Sequence, residues 1–237
     1  MNPFYLFPAS NRPLRIETPL GADTFALLEL TGHECLSELY EFRLRLAADR
    51  YTTIDFGKLL GKCVTLRINT KELGERIIHG MMCALSQLHN DDTLTHFDAT
   101  IVPLFWLWDQ RKQSRCFQQM STPDILKAVF DGLDTKFLLS GQYLSRDYCV
   151  QYDETDFAFA TRLMQEDGFF YYFEHRTDGH TLVITDDVAN LAAPTVLDTV
   201  LFDADLGGTV DFPRVYKWSK SQQLVTTKFT CWDQCFE

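Results

Sequence analysis

The sequence predicts a mixed, mainly β fold with α+β character: an antiparallel β-barrel, an α+β middle domain and the start of a second β-barrel. Three observations carry this. Between Leu14 and Asp98 short apolar/polar alternations are separated by turn residues, the pattern of a small barrel or sandwich. Between Arg111 and Asp205 two helix signals alternate with strand signals. After Leu206-Gly207-Gly208 strand-like segments resume. The expected domains are residues 1–110, 111–205 and 206–237, the last holding the first strands of a second, incomplete barrel.

In the first segment, Tyr40 to Leu46 alternates with Phe42, Leu44 and Leu46 inward and Arg43 and Arg45 outward. Val64, Leu66 and Ile68 repeat the pattern, and Ile77 to Leu85 and Leu94 to Val102 are further strands. Turns are expected at Leu20 to Asp23 and Asn90 to Asp92, with a helical turn from Phe56 to Leu60 closed by Gly61. Barrel closure would remove the exposed strand edges. Pro103 to Gln113 interrupts the alternation as a short helix or crossover docking Leu104, Trp106 and Leu107.

The next helix signal has Thr122 as N-cap, Pro123 at the first helical position and Asp124 after it. Ile125, Leu126, Val129 and Phe130 form its apolar face, and Gly132 lies near its stop. The stretch from Tyr148 to Phe173 reads as strand, turn, helix, stop, strand. Asp153 is the expected N-cap, with Glu154 and Asp156 in the first turn, where carboxylates favour the positive end of the helix dipole. Phe157, Ala160, Leu163 and Met164 make the stripe, and Gly168 is placed to end the helix in the left-handed conformation. Phe169 to Phe173 are all aromatic, a strand that needs cover on both faces. The helix can cover one face; the other requires another domain or another chain. Phe169 to Glu174 pairs with Thr181 to Thr185 through Thr177-Asp178-Gly179. Val215 to Lys220 and Leu224 to Thr230 are two strands of a final β unit. Two strands are not stable alone, so the chain is expected to be the front part of something longer, or to borrow partners.

The net charge is −11, with ten basic and fourteen acidic residues up to Asp109, and eight basic and sixteen acidic from Arg111 to Asp205. This balance argues against a non-specific nucleic-acid binder and against an anionic membrane surface. Seven scattered cysteines suit buried free thiols in a reducing compartment. The lone Cys231/Cys235 pair lacks the second pair of a metal site. The first residues show no Sec-type signal, and no apolar run approaches the roughly 20 residues of a membrane span.

No catalytic, cofactor-binding or metal residues are assigned. His79, His89 and His96 read as polar or packing histidines on barrel strands, and His175 and His180 as solvated turn residues. Glu166 and Asp167 are adjacent on a helix and do not face each other, so they do not form an acid/base pair. Nucleotide-binding and hydrolase glycine motifs are absent. Trp106 and Trp108 read as packing aromatics before they read as a stacking platform for a sugar or base.

Three stretches, in order, resemble one family. LTGHECLSELYEFRLRL with LLGKCVTLRI resembles the opening barrel of the Vgr spike proteins of type VI secretion. VPLFWLWDQRKQSRCFQQMSTPDILKAVF resembles the segment after that barrel. QYDETDFAFATRLMQEDGFFYYFEH resembles the family's most distinctive segment. The resemblance implies a front half like the baseplate hub of contractile-tailed phages, with two similar barrels and smaller α+β domains. It implies a homotrimer that seats on the hexameric tube protein and contacts baseplate components, with no nucleic acid, no membrane contact by this portion and no cofactor. It implies residence in the bacterial cytoplasm before firing, then secretion by the type VI system without a signal peptide. The OB-fold and piercing β-helical spike of that family have no counterpart in these residues. A contractile-phage tail baseplate hub is the second reading. An enzyme, carbohydrate-active and using Glu166, Asp167 or a histidine, is the third.

Overall fold

The structure is a computed structural model and describes residues 12–70, 74–191, 201–203, 214–224, 228 and 230. Its first sheet has six antiparallel strands: β1 (Leu14–Glu17), β2 (Ala26–His33), β3 (Glu41–Asp49), β4 (Cys63–Thr70), β5 (Gly74–Asn90) and β6 (Leu94–Val102). They lie in the order β1-β4-β5-β6-β3-β2. The predicted alternation holds: Phe42, Leu44 and Leu46 of β3 are buried while Arg43 and Arg45 are exposed. Register shifts lie between Leu27 and Glu29, Met82 and Ala84, and Gln87 and Asn90. Such bulges add twist, which curls the sheet around a core built on Phe25, Leu46, Leu66, Ile78 and Phe97. The edge strands β1 and β2 come into contact on the open side. No hydrogen-bonded ladder joins them among the described residues, so the sheet is a partial barrel rather than a sealed one.

The crossover after β6 is a 3₁₀ helix, Leu104–Gln110. It docks Phe105 and Trp108, whereas the expectation was Leu104, Trp106 and Leu107. With three residues per turn, positions i and i+3 eclipse, which puts Phe105 and Trp108 on one side and leaves Leu107 exposed. Trp108 Nε1 donates to the Val129 carbonyl at 2.7 Å.

The second core is assembled from β7 (Lys112–Met120), α1 (Thr122–Val129), β8 (Thr135–Leu138), β9 (Arg146–Thr155), α2 (Asp156–Glu166), β10 (Phe170–Arg176) and β11 (Gly179–Thr185). β7 and β9 form an antiparallel ribbon; β10, β11 and β8 form a mixed sheet in that order, with β11 parallel to β8. The apolar face of α1 is the predicted one, with Ile125, Leu126, Val129 and Phe130 all buried. Its N-cap is Ser121, one residue before the expected Thr122.

The cap of α2 also moves. Thr155, not Asp153, is the N-cap, and its hydroxyl accepts from the Ala158 N–H at 3.0 Å. Asp153 lies in β9 with φ 46°, inside the register shift at Gln113/Arg115, and its exposed carboxylate faces Lys112 Nζ at 3.8 Å. The buried stripe of α2 adds Phe159 to Ala160, Leu163 and Met164, while Phe157 is half-buried. Gly168 ends the segment at φ 74°, as expected of a left-handed C′ residue.

Asp156, in the first turn of α2, is fully buried. Arg111 Nε and Arg115 Nη2 each donate to it at 2.5 Å, Gln151 Nε2 donates at 2.8 Å and Gln113 Nε2 at 3.3 Å. Four donors and the helix dipole compensate the buried carboxylate and tie α2 to both ribbon strands.

Towards the C-terminus, Leu201–Phe202 and Arg214–Val215 make a two-residue parallel bridge. Residues 216–224 carry no regular secondary structure, so the expected strand from Val215 to Lys220 is not formed. Among the described residues no further strand pairs with this bridge. Most of Leu224 to Thr230, together with Cys231 and Cys235, lies outside the described residues.

Removing the carboxylate in Asp156→Ala leaves two guanidiniums and a buried amide without their acceptor. The expected loss is about 3 kcal/mol of unfolding free energy, measured by urea denaturation, with Asp147→Ala on the exposed ribbon edge unchanged.

Candidate functional site

The two cores meet where the β10–β11 hairpin lies on β5. β5 loses its alternation there: every residue from Ile78 to Met82 is buried. Ile78 and Met82 belong to the first core, and His79 is covered by the hairpin histidines. Phe173 of β10 packs against both cores, edge-on to Tyr40 at 5.0 Å and to Tyr171 at 6.0 Å. The second cover of the aromatic strand is therefore this chain's own curled sheet. Phe169 and Tyr171 are buried within one polypeptide, and the strand buried along six of its seven residues is the central β11.

A chain of hydrogen bonds runs through this joint. The Leu104 N–H donates to His180 Nε2 at 3.0 Å, so that nitrogen carries no proton. In the neutral ring the proton is then on Nδ1, 3.0 Å from His79 Nδ1, which accepts it. The His79 backbone N–H donates to His175 Nδ1 at 3.2 Å, which leaves the His175 proton on Nε2, facing Glu34 at 3.5 Å. The Tyr40 hydroxyl donates to the His79 carbonyl at 2.6 Å, and Thr65 Oγ1 donates to the Thr177 carbonyl at the hairpin tip at 2.9 Å. On the β2–β3 side the Ser37 N–H donates to the Tyr171 carbonyl at 2.8 Å.

The electrostatics follow from burial. Burial pushes the His180 imidazole down to about 3, with His79 and His175 adding to the effect. His79 is lowered for the same first reason. Burial holds the Tyr40 hydroxyl well above its ordinary value, so it stays a donor. Burial works to raise Glu34, but His175 and Arg76 beside it bring its carboxyl below the ordinary range. Gly80 makes room: a Cβ there would meet Ile101 Cγ2 at 2.5 Å, the Val102 carbonyl at 2.9 Å and the Tyr40 hydroxyl at 3.2 Å.

The expectation that His175 and His180 are solvated turn residues is therefore corrected. They do flank an exposed turn, but the hairpin strands lie on β5, Thr65 of β4 donates to the turn's Thr177 carbonyl, and His180 is 3% exposed. His79 is the packing histidine expected. His89 and His96 stack at 4.7 Å beside the β5–β6 turn, where Asp91 accepts from His96. Glu166 and Asp167 do not face each other as a pair; both accept from Arg146, at 2.7 and 3.2 Å. Trp106 is half-buried and Trp108 buried. Sequence reasoning also passed over His33, Cys35 and Glu38, whose ligand atoms lie within 4.8 Å of one another on the β2–β3 loop.

Residues 33–237 match the family described as phage tail baseplate hub (GPD). The chain belongs to this hub family. Among its curated relatives is the type VI secretion system spike protein VgrG1a of Pseudomonas aeruginosa, 29% identical over 229 residues, covering 95% of this chain and 36% of that protein. Another is spike protein VgrG5 of the same species, 32% identical over 230 residues, covering 94% of this chain and 28% of that protein. The chain thus spans about a third of the length of these spike proteins. Among solved structures, an Escherichia coli component of the type VI secretion system, described as structurally similar to T4 bacteriophage tail proteins, aligns with TM-score 0.67 at 20% identity. The alignment covers 77% of this chain and 51% of that one. The hub-family fold thus agrees with the resemblance read from the three segments, and with the mainly β character predicted from alternation.

Two outcomes are expected of the joint. His180 and His79 are neutral when docked and take up protons when exposed. Stability is fully present above the ordinary histidine value and falls as pH drops from about 6.5 towards 3. Thermal melts across that range should show the fall, and His180→Gln should flatten it. Tyr40→Phe leaves the His79 carbonyl without its buried donor and should cost about 2 kcal/mol by chemical denaturation.

Proposed function

We propose that this chain is a structural hub module, the N-terminal part of a trimeric type VI secretion spike protein that seats on the hexameric tube. The observation that carries this reading is the family match over residues 33–237, with relatives that are themselves named spike proteins. The division into 1–110, 111–205 and 206–237 is part of the proposal; the two core clusters on either side of the 3₁₀ crossover support it. A symmetric trimer of such modules would present repeated β surfaces to a ring of tube subunits.

The reading is non-enzymatic. The buried histidines are committed to one another and to backbone groups, and Glu166 and Asp167 to Arg146. Residence in the cytoplasm before firing and export by the type VI system, with the tube and baseplate as partners, belong to the same proposal. Among the described residues no helix is long and apolar enough to cross a membrane. A contractile-phage tail hub shares the fold, and the genes flanking the coding region would separate the two.

Light scattering coupled to size exclusion on the full-length protein tests the proposal. The expected mass is that of three chains; a stable monomer at micromolar concentration would contradict it.

A further inference from the structure

We propose that His33, Cys35 and Glu38 form a binding site for a divalent transition-metal ion of the zinc class. The site goes beyond the hub reading and does not depend on it. Three different ligand types converge from one six-residue stretch. His33 Nε2 is 3.3 Å from Cys35 Sγ, and His33 Nδ1 is 3.8 Å from Glu38 Oε2. One ligand atom from each side chain lies within 4.8 Å of the other two. Around a tetrahedral zinc ion, imidazole nitrogen, thiolate sulfur and carboxylate oxygen stand roughly 3.3–3.8 Å apart, given metal–ligand bonds of about 2.0–2.3 Å. The Cys35–His33 separation already has that value. A small rotation of the exposed imidazole brings one nitrogen within reach of both partners.

The backbone holds the three residues close to this arrangement. His33 is the last residue of β2 and is in register with Glu41 of β3. Ser37, at φ 60°, is pinned by its N–H to the Tyr171 carbonyl. Leu39 then enters the second core and Tyr40 the first. The loop is thus fixed at its start, middle and end, so little chain entropy remains to be lost when an ion binds.

Charge favours a cation. A thiolate and a carboxylate supply two negative charges at the site. The nearby guanidiniums are already engaged, Arg76 with Glu34 and Arg43 with Glu41. A soft thiolate with an imidazole and one carboxylate selects zinc, cobalt or cadmium over magnesium or calcium. Three protein ligands leave a fourth position open to water or to a side chain of another molecule. Bound metal would cross-link the loop that runs between the two cores, so metal should also stabilise the joint.

The test is a titration of the metal-free full chain with Co²⁺. One equivalent should bind, with a thiolate-to-cobalt charge-transfer absorption and visible bands of tetrahedral type, and Zn²⁺ should displace it. Cys35→Ser should abolish the charge-transfer band, and His33→Ala and Glu38→Gln should each weaken binding at least about tenfold. The Cys231→Ser/Cys235→Ser double variant should bind as the parent does. All three ligand residues are exposed, so these variants keep the fold, which circular dichroism checks. As a second readout, Zn²⁺ should raise the melting temperature of the parent and leave that of Cys35→Ser unchanged. The proposal is overturned by the absence of a thiolate-to-cobalt band, by a band that survives Cys35→Ser, or by one that disappears in the double variant.

Discussion

Polar groups buried where the β10–β11 strands lie on β5 must be satisfied without water, and this constraint governs how the two cores are joined. An unpaired polar group in such a place costs roughly 1–3 kcal/mol, so each ring nitrogen and each backbone N–H needs a partner. Imidazoles suit this place because a neutral ring can donate at one nitrogen and accept at the other, as His180 does; His175 Nε2 faces Glu34 at 3.5 Å with no closer partner. The Leu104 N–H sets the tautomer of His180, His180 sets that of His79, and the His79 backbone sets that of His175. A lysine or arginine would bring charge into this site, and an aliphatic residue would leave the Leu104 N–H bare.

Around this relay the apolar contacts are continuous. Phe173 belongs to both cores, Tyr40 lies beneath it, and Gly80 leaves the space that Tyr40 needs. On the far side of the second core, Asp156 ties α2 to the β7–β9 ribbon, so the helix packed on the 3₁₀ crossover is itself held by four donors. Buried area alone resists sliding weakly, since hydrophobic contact is non-directional. Directional bonds from Tyr40, His79, His180 and Thr65 add registration.

Much of the fold was legible because strand alternation and helix stripes are local signals. Phe42/Leu44/Leu46, Val64/Leu66 and Ile125/Leu126/Val129/Phe130 all fall where their spacing puts them. The misses have tertiary causes. Asp153 and Thr155 are both good cap residues, and only the bulge in the β7–β9 ribbon decides between them. The 3₁₀ rather than α geometry of the crossover exchanged Trp106 for Trp108. The joint was the least legible part. Histidines beside a hairpin turn look solvated unless one knows that the hairpin strands lie on another sheet, and a sequence separation of 101 residues between His79 and His180 carries no local signature. The aromatic run drew attention to β10, whereas the strand covered on both faces is β11, whose Thr and His residues mask its centrality.

Nitrogen-detected correlation spectra of the histidine rings in the full chain test the central claim most directly, because they read tautomer and charge at each imidazole. His180 should be protonated on Nδ1 only and stay neutral at pH 5, and His79 should be protonated on Nε2 only. Rings that titrate together near the ordinary histidine value, with mixed tautomers like solvated side chains, would contradict it.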